Sequence, residues 1–288
     1  MGMNLYGLFI ALGVLAAVLY MGREAVRRSL PRDLALDMAL WAVPLAVVGS
    51  RLYYVAFTWE RYRGDLLSIL RVWEGGLAIY GGILGGALGV YLLARRRRLP
   101  FLTLADLVAP ALLLGQAIGR WGNFFNQEAY GLLVDSPVFQ RFPFAVQVNG
   151  QWHLATFLYE SLWNLLGFAV LLRLRAASER RGPGTLFLCY LLWYGLGRLV
   201  IEGLRLDSLM LGSLRVSQLL SALLITLAGL ALLLRLRRAW FHGLPLLLGL
   251  GLLLLSALGQ GWALVPGYVS LAVFVAGLYP SLAREEAA

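Results

Sequence analysis

The chain has 288 residues, of which 60% are hydrophobic and only 14% charged, and its mean hydropathy is +0.75. Soluble domains carry roughly a quarter charged residues, so this composition excludes an ordinary soluble domain and identifies an integral membrane protein. The formal net charge of +10 is the balance of 25 basic residues, all of them Arg, against 15 acidic ones, and the Arg fall mostly in short blocks between apolar runs rather than on one soluble face, which argues against nucleic acid as a partner.

A spanning helix needs roughly 20 predominantly apolar residues. The first such run, near 4–22, is followed by Arg23, Arg27, Arg28 and Arg32. With no basic residue ahead of it and a basic block behind it, it is expected to stay as a span rather than be cleaved as a signal peptide. A second run, near 36–57, carries Arg51 close to its end, and a third, near 76–94, precedes Arg95 to Arg98. The third run opens on a glycine-rich stretch, Gly75 to Gly86, with Tyr80 at its centre. Gly81 and Gly85, and Gly82 and Gly86, are spaced for close packing of membrane helices, and the Lys and Ser/Thr of a phosphate-binding P-loop are missing.

The fourth run, near 101–122, ends in Gly119-Arg-Trp-Gly-Asn-Phe-Phe-Asn-Gln-Glu-Ala-Tyr-Gly131. Such polarity at the end of an apolar span is costly in lipid and marks a functional site by default. Gln116 and Arg120 share a helix face, and Asn123, Asn126 and Glu128 add amides and a carboxylate where the helix ends. The planar fork of an Arg suits phosphate; the bland alternative is a helix cap with a snorkelling Arg.

A loop of about 123–153 follows, then a fifth run near 154–174 that His153 opens, with Tyr159 and Glu160 behind it; the His and Tyr are read as membrane-interface residues. Arg173, Arg175, Arg180 and Arg181 close it. The sixth run, near 184–204, carries Tyr194, Arg198, Glu202 and Arg205 at spacings of four, four and three, expected to form one helical stripe facing protein or water. A buried ion pair that fixes helix packing competes with a functional reading here. Arg198 is the stronger candidate, because two Arg share one carboxylate and one cation is left needing an anion. Cys189 in this run is read as core packing; as the only cysteine it excludes an internal disulfide, and with only His153 and His242 present a His-based metal site is not expected.

The seventh run, near 214–234, precedes Arg235, Arg237 and Arg238, and two shorter runs, near 243–259 and 262–282, read as a hairpin. The expected fold is all-α: a polytopic transmembrane helical bundle with a core of seven spanning helices plus a C-terminal hydrophobic hairpin. The Arg blocks follow every second span, so the positive-inside rule places the N-terminus outside and the 123–153 loop external. Arg51, Arg120, Arg198 and Arg205 then lie at outer ends of spans, and a site at the outer membrane surface is expected.

Taken together, these residues resemble the bacterial prolipoprotein diacylglyceryl transferase family over roughly residues 4–234. The Gly119–Gly131 run is similar to the family's signature. Supporting matches are Tyr6-Gly-Leu, Gly49-Ser-Arg-Leu-Tyr-Tyr, Glu74-Gly-Gly through Gly82, His153 to Glu160, and Tyr194 through Arg205 followed by Asp207-Ser. The resemblance implies transfer of a diacylglyceryl group from phosphatidylglycerol to the lipobox cysteine of a prolipoprotein signal peptide, with glycerol phosphate released and no metal or organic cofactor. It implies a multi-pass protein of the bacterial cytoplasmic (inner) membrane whose site faces the outer leaflet.

Carried over by position, Arg120, Asn123, Glu128 and Gly131 match the signature's functional residues. Arg198, Glu202 and Arg205 match the family's Arg/Glu stripe, and Tyr6 and Tyr194 match its important tyrosines. Arg120, Arg198, Tyr80 and Glu202 are the expected catalytic residues. Phosphatidylglycerol is expected to contact Arg120, Asn123, Asn126, Glu128, Gly131, Tyr6, Tyr194 and Arg205. Members carry a His, proposed as a general base, where this chain has Tyr80. Residues 1–238 would form the catalytic domain and 239–288 an additional hairpin beyond the family pattern. The competing readings are a small-anion transporter lined by the same Arg residues and a non-enzymatic phospholipid-binding protein.

Overall fold

The structure is a computed structural model that describes residues 5–206, 210–211, 214–235, 245–249, 251 and 264–284. The apolar runs fold as helices: α1 (Leu5–Arg27), α2 (Leu34–Phe57), α3 (Ile79–Arg97), α4 (Phe101–Asn126), α5 (Thr156–Arg180), α6 (Thr185–Ile201), α7 (Val216–Arg235) and α8 (Leu264–Arg284). Six are long and apolar enough to cross a membrane, namely α1, α2, α4, α5, α6 with its following turn, and α7. The protein is therefore an all-α polytopic membrane protein. Helix α3 covers the expected third span but is not among the six; its glycines and terminal Arg95, Arg96 and Arg97 dilute its apolar character. Of the expected C-terminal hairpin, α8 and a helical stretch at 245–249 are described, and the intervening turn lies outside the described residues.

The chain divides into two compact units, one comprising Met1–Ala17 with Ala109–Ala288 and the other Val18–Val108. In the Val18–Val108 unit, α2 and α3 pack almost backbone to backbone. A Cβ added at Gly81 would lie 2.2 Å from the Gly49 carbonyl oxygen, one at Gly85 2.1 Å from that of Leu45, and one at Gly89 2.5 Å from that of Trp41. No side chain fits in that seam, which accounts for the glycine spacing. Helix α3 stops at Arg98, whose left-handed φ of +53° lets its N–H reach the carbonyls of Ala94 and Arg95, and Pro100 follows. The Arg97 guanidinium, hydrogen-bonded to Asp33 and Asp37, holds the Asp33 carboxyl below its ordinary range.

In the other unit, α5, α6, α7 and α8 enclose a core that includes Leu171, Leu192, Leu199, Ile225, Leu232, Leu271 and Phe274, with Cys189 buried among them as expected of a packing residue. Helices α5 and α6 are locked by a reciprocal pair. The Trp163 and Trp193 rings stack 4.5 Å apart, and each indole N–H donates to the other's backbone carbonyl, at 3.1 and 3.0 Å. Each indole also lies over a glycine four residues further along the opposing helix's own Trp-x-x-x-Gly, so that a Cβ at Gly167 or Gly197 would meet an indole nitrogen at 2.2 or 2.1 Å. The lock fixes the axial register of α5 on α6 one turn from Glu160 and beside Arg198.

The loop between α4 and α5 is not wholly irregular. Residues Ala145–Val148 (β1) and Gln151–Leu154 (β2) form an antiparallel hairpin around Asn149 and Gly150, both at positive φ as a tight turn requires. A two-residue pair, Met210–Leu211 (β3) with Leu214–Arg215 (β4), precedes α7.

Candidate functional site

Within the unit Met1–Ala17 with Ala109–Ala288, charges from α4, α5 and α6 meet in one row. Arg120 from the last turns of α4 bonds through Nη2 to Oε1 of Glu160 on α5. The other carboxylate oxygen of Glu160 lies 3.5 Å from Nη1 of Arg198 on α6. Nη2 of Arg198 lies 2.8 Å from Oε2 of Glu202, one turn further along. The Arg120 and Glu160 side chains are 22% and 7% exposed, and those of Arg198 and Glu202 are 17% and 2% exposed. The two Arg side chains are thus partly exposed, the carboxylates beside them are buried, and Nη1 of Arg198 is itself buried and makes no hydrogen bond. Burying two like charges side by side would be prohibitive without this backing.

Glu160, to which the sequence assigns no role of its own, is the carboxylate shared by both Arg. The expectation that Arg198 is left needing an anion, with Glu202 shared between it and Arg205, is therefore corrected, since Arg198 lies against both Glu160 and Glu202. Glu128, expected to contact phosphatidylglycerol, accepts from the Asn126 amide at 3.4 Å. It lines a cavity of about 410 Å³ with Gln127, Ala129, Tyr130 and Leu206. Asn123 does support Arg120, its Oδ1 accepting from Nη1 at 3.5 Å.

The expected four-residue stripe is also corrected. Helix α6 ends at Ile201, Glu202–Leu204 form a single 3-10 turn, and Arg205 is already extended at φ −91° and ψ 149°. Tyr194, Arg198 and Glu202 keep helical spacing, and Arg205 leaves the stripe to bridge Gly131. Arg215, at the end of β4 just before α7, donates to the carbonyls of Glu202 and Arg205 and so brings a further cation beside this turn.

Gly131 has no room for a side chain. An added Cβ would stand 2.7 Å from the Leu154 Cβ, 2.8 Å from the Thr156 Cγ2 and 2.9 Å from the Leu204 carbonyl oxygen. The segment is strapped on both sides, with Gly131 N–H donating to Leu154 and Leu132 N–H to Leu204. His153 is buried, its Nδ1 3.0 Å from the Gly131 carbonyl, so it pins this strap from β2 and does not open the span as expected. Tyr6 lies against Gly122 on α4, where an added Cβ would be 3.0 Å from its ring. Tyr194 stacks on Tyr190, whose hydroxyl accepts from the Gln116 amide at 3.1 Å, so polar groups continue one and two turns along α4 and α6 from the row of charges.

In the Val18–Val108 unit, Tyr80 is half-buried near the N-terminus of α3, its ring centroid 6.2 Å from that of Tyr53. Arg51 is buried and gives its N–H groups to main-chain carbonyls: Nε to Ile69 at 2.8 Å, Nη1 to Gly75 at 2.5 Å and Gly76 at 3.1 Å, and Nη2 to Ser68 at 2.7 Å and Arg71 at 3.3 Å. The sequence reading grouped it with the anion-facing Arg residues; here it organises the 68–76 stretch, which lines a cavity of about 250 Å³ with Arg61, Tyr62 and Asp65. Among the described residues no group of three His, Cys, Asp or Glu is placed to hold a metal ion.

The sequence profile of prolipoprotein diacylglyceryl transferases matches residues 1–235. The chain belongs to the prolipoprotein diacylglyceryl transferase family. It is 48% identical over 231 residues to the phosphatidylglycerol–prolipoprotein diacylglyceryl transferase of Halalkalibacterium halodurans, covering 76% of this chain and 78% of the relative. The transferase of that name from Geobacillus kaustophilus is 48% identical over 242 residues, covering 82% and 89% of the two chains. That of Streptococcus suis is 45% identical over 238 residues, covering 81% and 88%. The match includes α1 to α7, and with them every charge of the Arg120–Glu160–Arg198–Glu202 row.

Proposed function

We propose that the protein transfers a diacylglyceryl group from phosphatidylglycerol to the lipobox cysteine thiol of a prolipoprotein, the first step of bacterial lipoprotein maturation. Family membership supports the reaction, and the observation that carries the site is the pair of partly exposed Arg side chains, Arg120 and Arg198, on one buried carboxylate. The cysteine sulfur, as thiolate, attacks the glycerol methylene that bears the phosphate. The S–C bond forms, the C–O bond breaks, and its electron pair leaves on the phosphate oxygen. The product is a thioether, and the phosphodiester departs as glycerol phosphate, a monoester with added negative charge.

Arg120 and Arg198 bind the phosphate and meet that growing charge, with Glu160 and Glu202 setting the planes of the forks. Electrostatic stabilisation by preorganised donors of this kind is often the largest contribution to catalysis, each donor worth about 10²–10³ in rate. Asn123 buttresses Arg120, and Asn126, Glu128, Tyr6, Tyr194 and Arg205 line the headgroup and glycerol positions. Gly131 lets the loop close against Leu204. Tyr80 stands where family members carry the His proposed as base, and it is proposed as a catalytic residue on that ground.

We place the protein in the cytoplasmic (inner) membrane with its N-terminus outside and the charged row at the outer leaflet, on the strength of the Arg blocks after alternate spans. Residues 1–238 form the catalytic seven-helix part and 239–288 an added hairpin. Purified protein incubated with phosphatidylglycerol and a lipobox peptide should add a diacylglyceryl mass to the peptide. An unmodified peptide in the presence of bound phosphatidylglycerol would select a lipid-binding protein, and anion flux into vesicles without peptide modification would select a transporter.

A further inference from the structure

The loop between α4 and β1 carries an apolar surface that the transfer reaction does not use. Val138, Phe139, Phe142 and Phe144 are each between 41% and 64% exposed. They are not the ends of a slack segment. Phe139 N–H donates to Ser136, Arg141 N–H to Phe139, and the N–H groups of Phe144 and Ala145 both donate to Arg141, while the Gln140 amide donates to Val134 at 2.8 Å. The Phe139 and Phe144 rings meet edge to face at 5.5 Å. These hydrogen bonds hold the turns of the loop, and the four apolar side chains remain exposed.

The loop is also fastened at a defined height. The Phe144 carbonyl accepts from the Ala155 N–H at 3.1 Å and from the Tyr159 hydroxyl at 2.5 Å. Ala155 caps α5 and Tyr159 lies in its first turn, next to Glu160. The aromatic cluster is thereby tied to the end of a membrane span, at the level of the charged row. Hairpin β1–β2 starts from the same point, with Ala145 opposite Leu154, and runs away to Asn149 and Gly150. In the stretch 136–144, Ser-Pro-Val-Phe-Gln-Arg-Phe-Pro-Phe, Arg141 is the one charged residue, and it is exposed. Apolar side chains with a single cation, at the rim of a span, match the chemistry of an interface of acyl chains and anionic headgroups. A signal-peptide segment would be met equally well by apolar side chains alone, and would leave the Arg without a counter-charge.

We propose that residues 138–144 form a wedge that inserts Val138, Phe139, Phe142 and Phe144 into the bilayer interface beside the first turn of α5, with Arg141 on the lipid headgroups. The proposal rests on the reading of α4 and α5 as membrane spans and is independent of the transfer chemistry. Its consequence is that lipid is held in contact with the helix that carries Glu160.

Cys189, the chain's only cysteine, is buried, so a surface cysteine can be labelled selectively. V138C and, as an independent position, F142C carry an environment-sensitive NBD dye in nanodiscs, with N149C at the hairpin turn as the reference. The turn is about 13 Å along the strands from the loop's attachment, at about 3.3 Å per residue. Lipids bearing a nitroxide near the headgroup end of the acyl chain should quench the dye by roughly half at 138 and 142 and leave it nearly unchanged at 149, since interfacial side chains sit about 5–10 Å into the headgroup boundary. Lack of quenching at both 138 and 142 overturns the proposal, as does equal quenching at all three positions. A dye at 138 that ignores the nitroxide lipid but shifts to the blue when a hydrophobic signal peptide is added would overturn it in favour of a peptide surface. Wild-type transfer by the labelled proteins with no quenching would refute the wedge alone; full quenching with no transfer by the unlabelled protein would refute the transferase reading alone.

Discussion

Glu160→Gln keeps the size and acceptor oxygen of the side chain and removes the charge that Arg120 and Arg198 share. A unit-charge pair at the 3.5 Å of the Arg198–Glu160 contact is worth roughly 5 kcal/mol at an effective dielectric of about 20. Both Arg side chains are partly exposed, and the retained oxygen still accepts a hydrogen bond, which brings the expected loss of stability to about 2–3 kcal/mol. The effect on turnover has two parts of opposite sign. One more net positive charge faces the lipid phosphate, which holds or tightens ground-state binding. The two forks lose the carboxylate that fixes their planes, which removes alignment needed when the phosphate oxygen gains charge. The expected outcome is a kcat lowered about 10²-fold with KM for phosphatidylglycerol changed by no more than about threefold. The assay is steady-state transfer to a lipobox peptide in nanodiscs of varied phosphatidylglycerol content. A kcat within twofold of wild type, or a rise in KM that accounts for the whole loss of kcat/KM, would refute Glu160 as the element that orients the two cations.

Arg120→Lys retains charge, but one ammonium cannot serve Glu160, Asn123 and a phosphate with a planar fork; kcat/KM is expected to fall about 10²–10³-fold in the same assay, and full turnover would remove Arg120 from the role given to it. Tyr80→Phe should lower kcat with stability unchanged, and unaltered kinetics would reduce Tyr80 to a packing residue. Gly131→Ala forces a Cβ onto the Leu204 carbonyl and should destabilise the protein by about 1–3 kcal/mol, read as a lower midpoint of thermal unfolding in nanodiscs; a wild-type midpoint would show that the strap between Leu154 and Leu204 gives way.

What the sequence revealed and what it hid divide along local and non-local lines. The helices were legible because an apolar run near 20 residues has few other fates, and the α2–α3 seam was legible in the four-residue glycine spacing. Gln116, Arg120 and Asn123 could be grouped because they are neighbours on one helix. Glu160 was not, because its partners lie on α4 and α6 and no spacing on α5 announces them; the available signal was a carboxylate in an apolar span, which lipid does not tolerate unpaired. The Arg205 expectation failed because it extended helical periodicity through Gly203, where the chain unwinds to meet Gly131. Arg215, at the head of an otherwise apolar run, has no local pattern that ties it to Glu202 and Arg205. The β1–β2 hairpin did carry a local signature, Asn149-Gly150 between alternating residues. Arg51 looked like a ligand-facing cation from its place in the second span, and its use was decided by the carbonyls of the 68–76 stretch, whose path no local pattern sets.

The central claim is that Arg120 and Arg198 act on one phosphate as a unit. A double-mutant cycle on kcat/KM, built from Arg120→Lys, Arg198→Lys and the double variant, measures this directly. Residues that work as a unit are strongly non-additive, so the double variant should be little worse than the more damaging single variant. Losses that multiply, each Arg contributing independently of the other, would contradict the account.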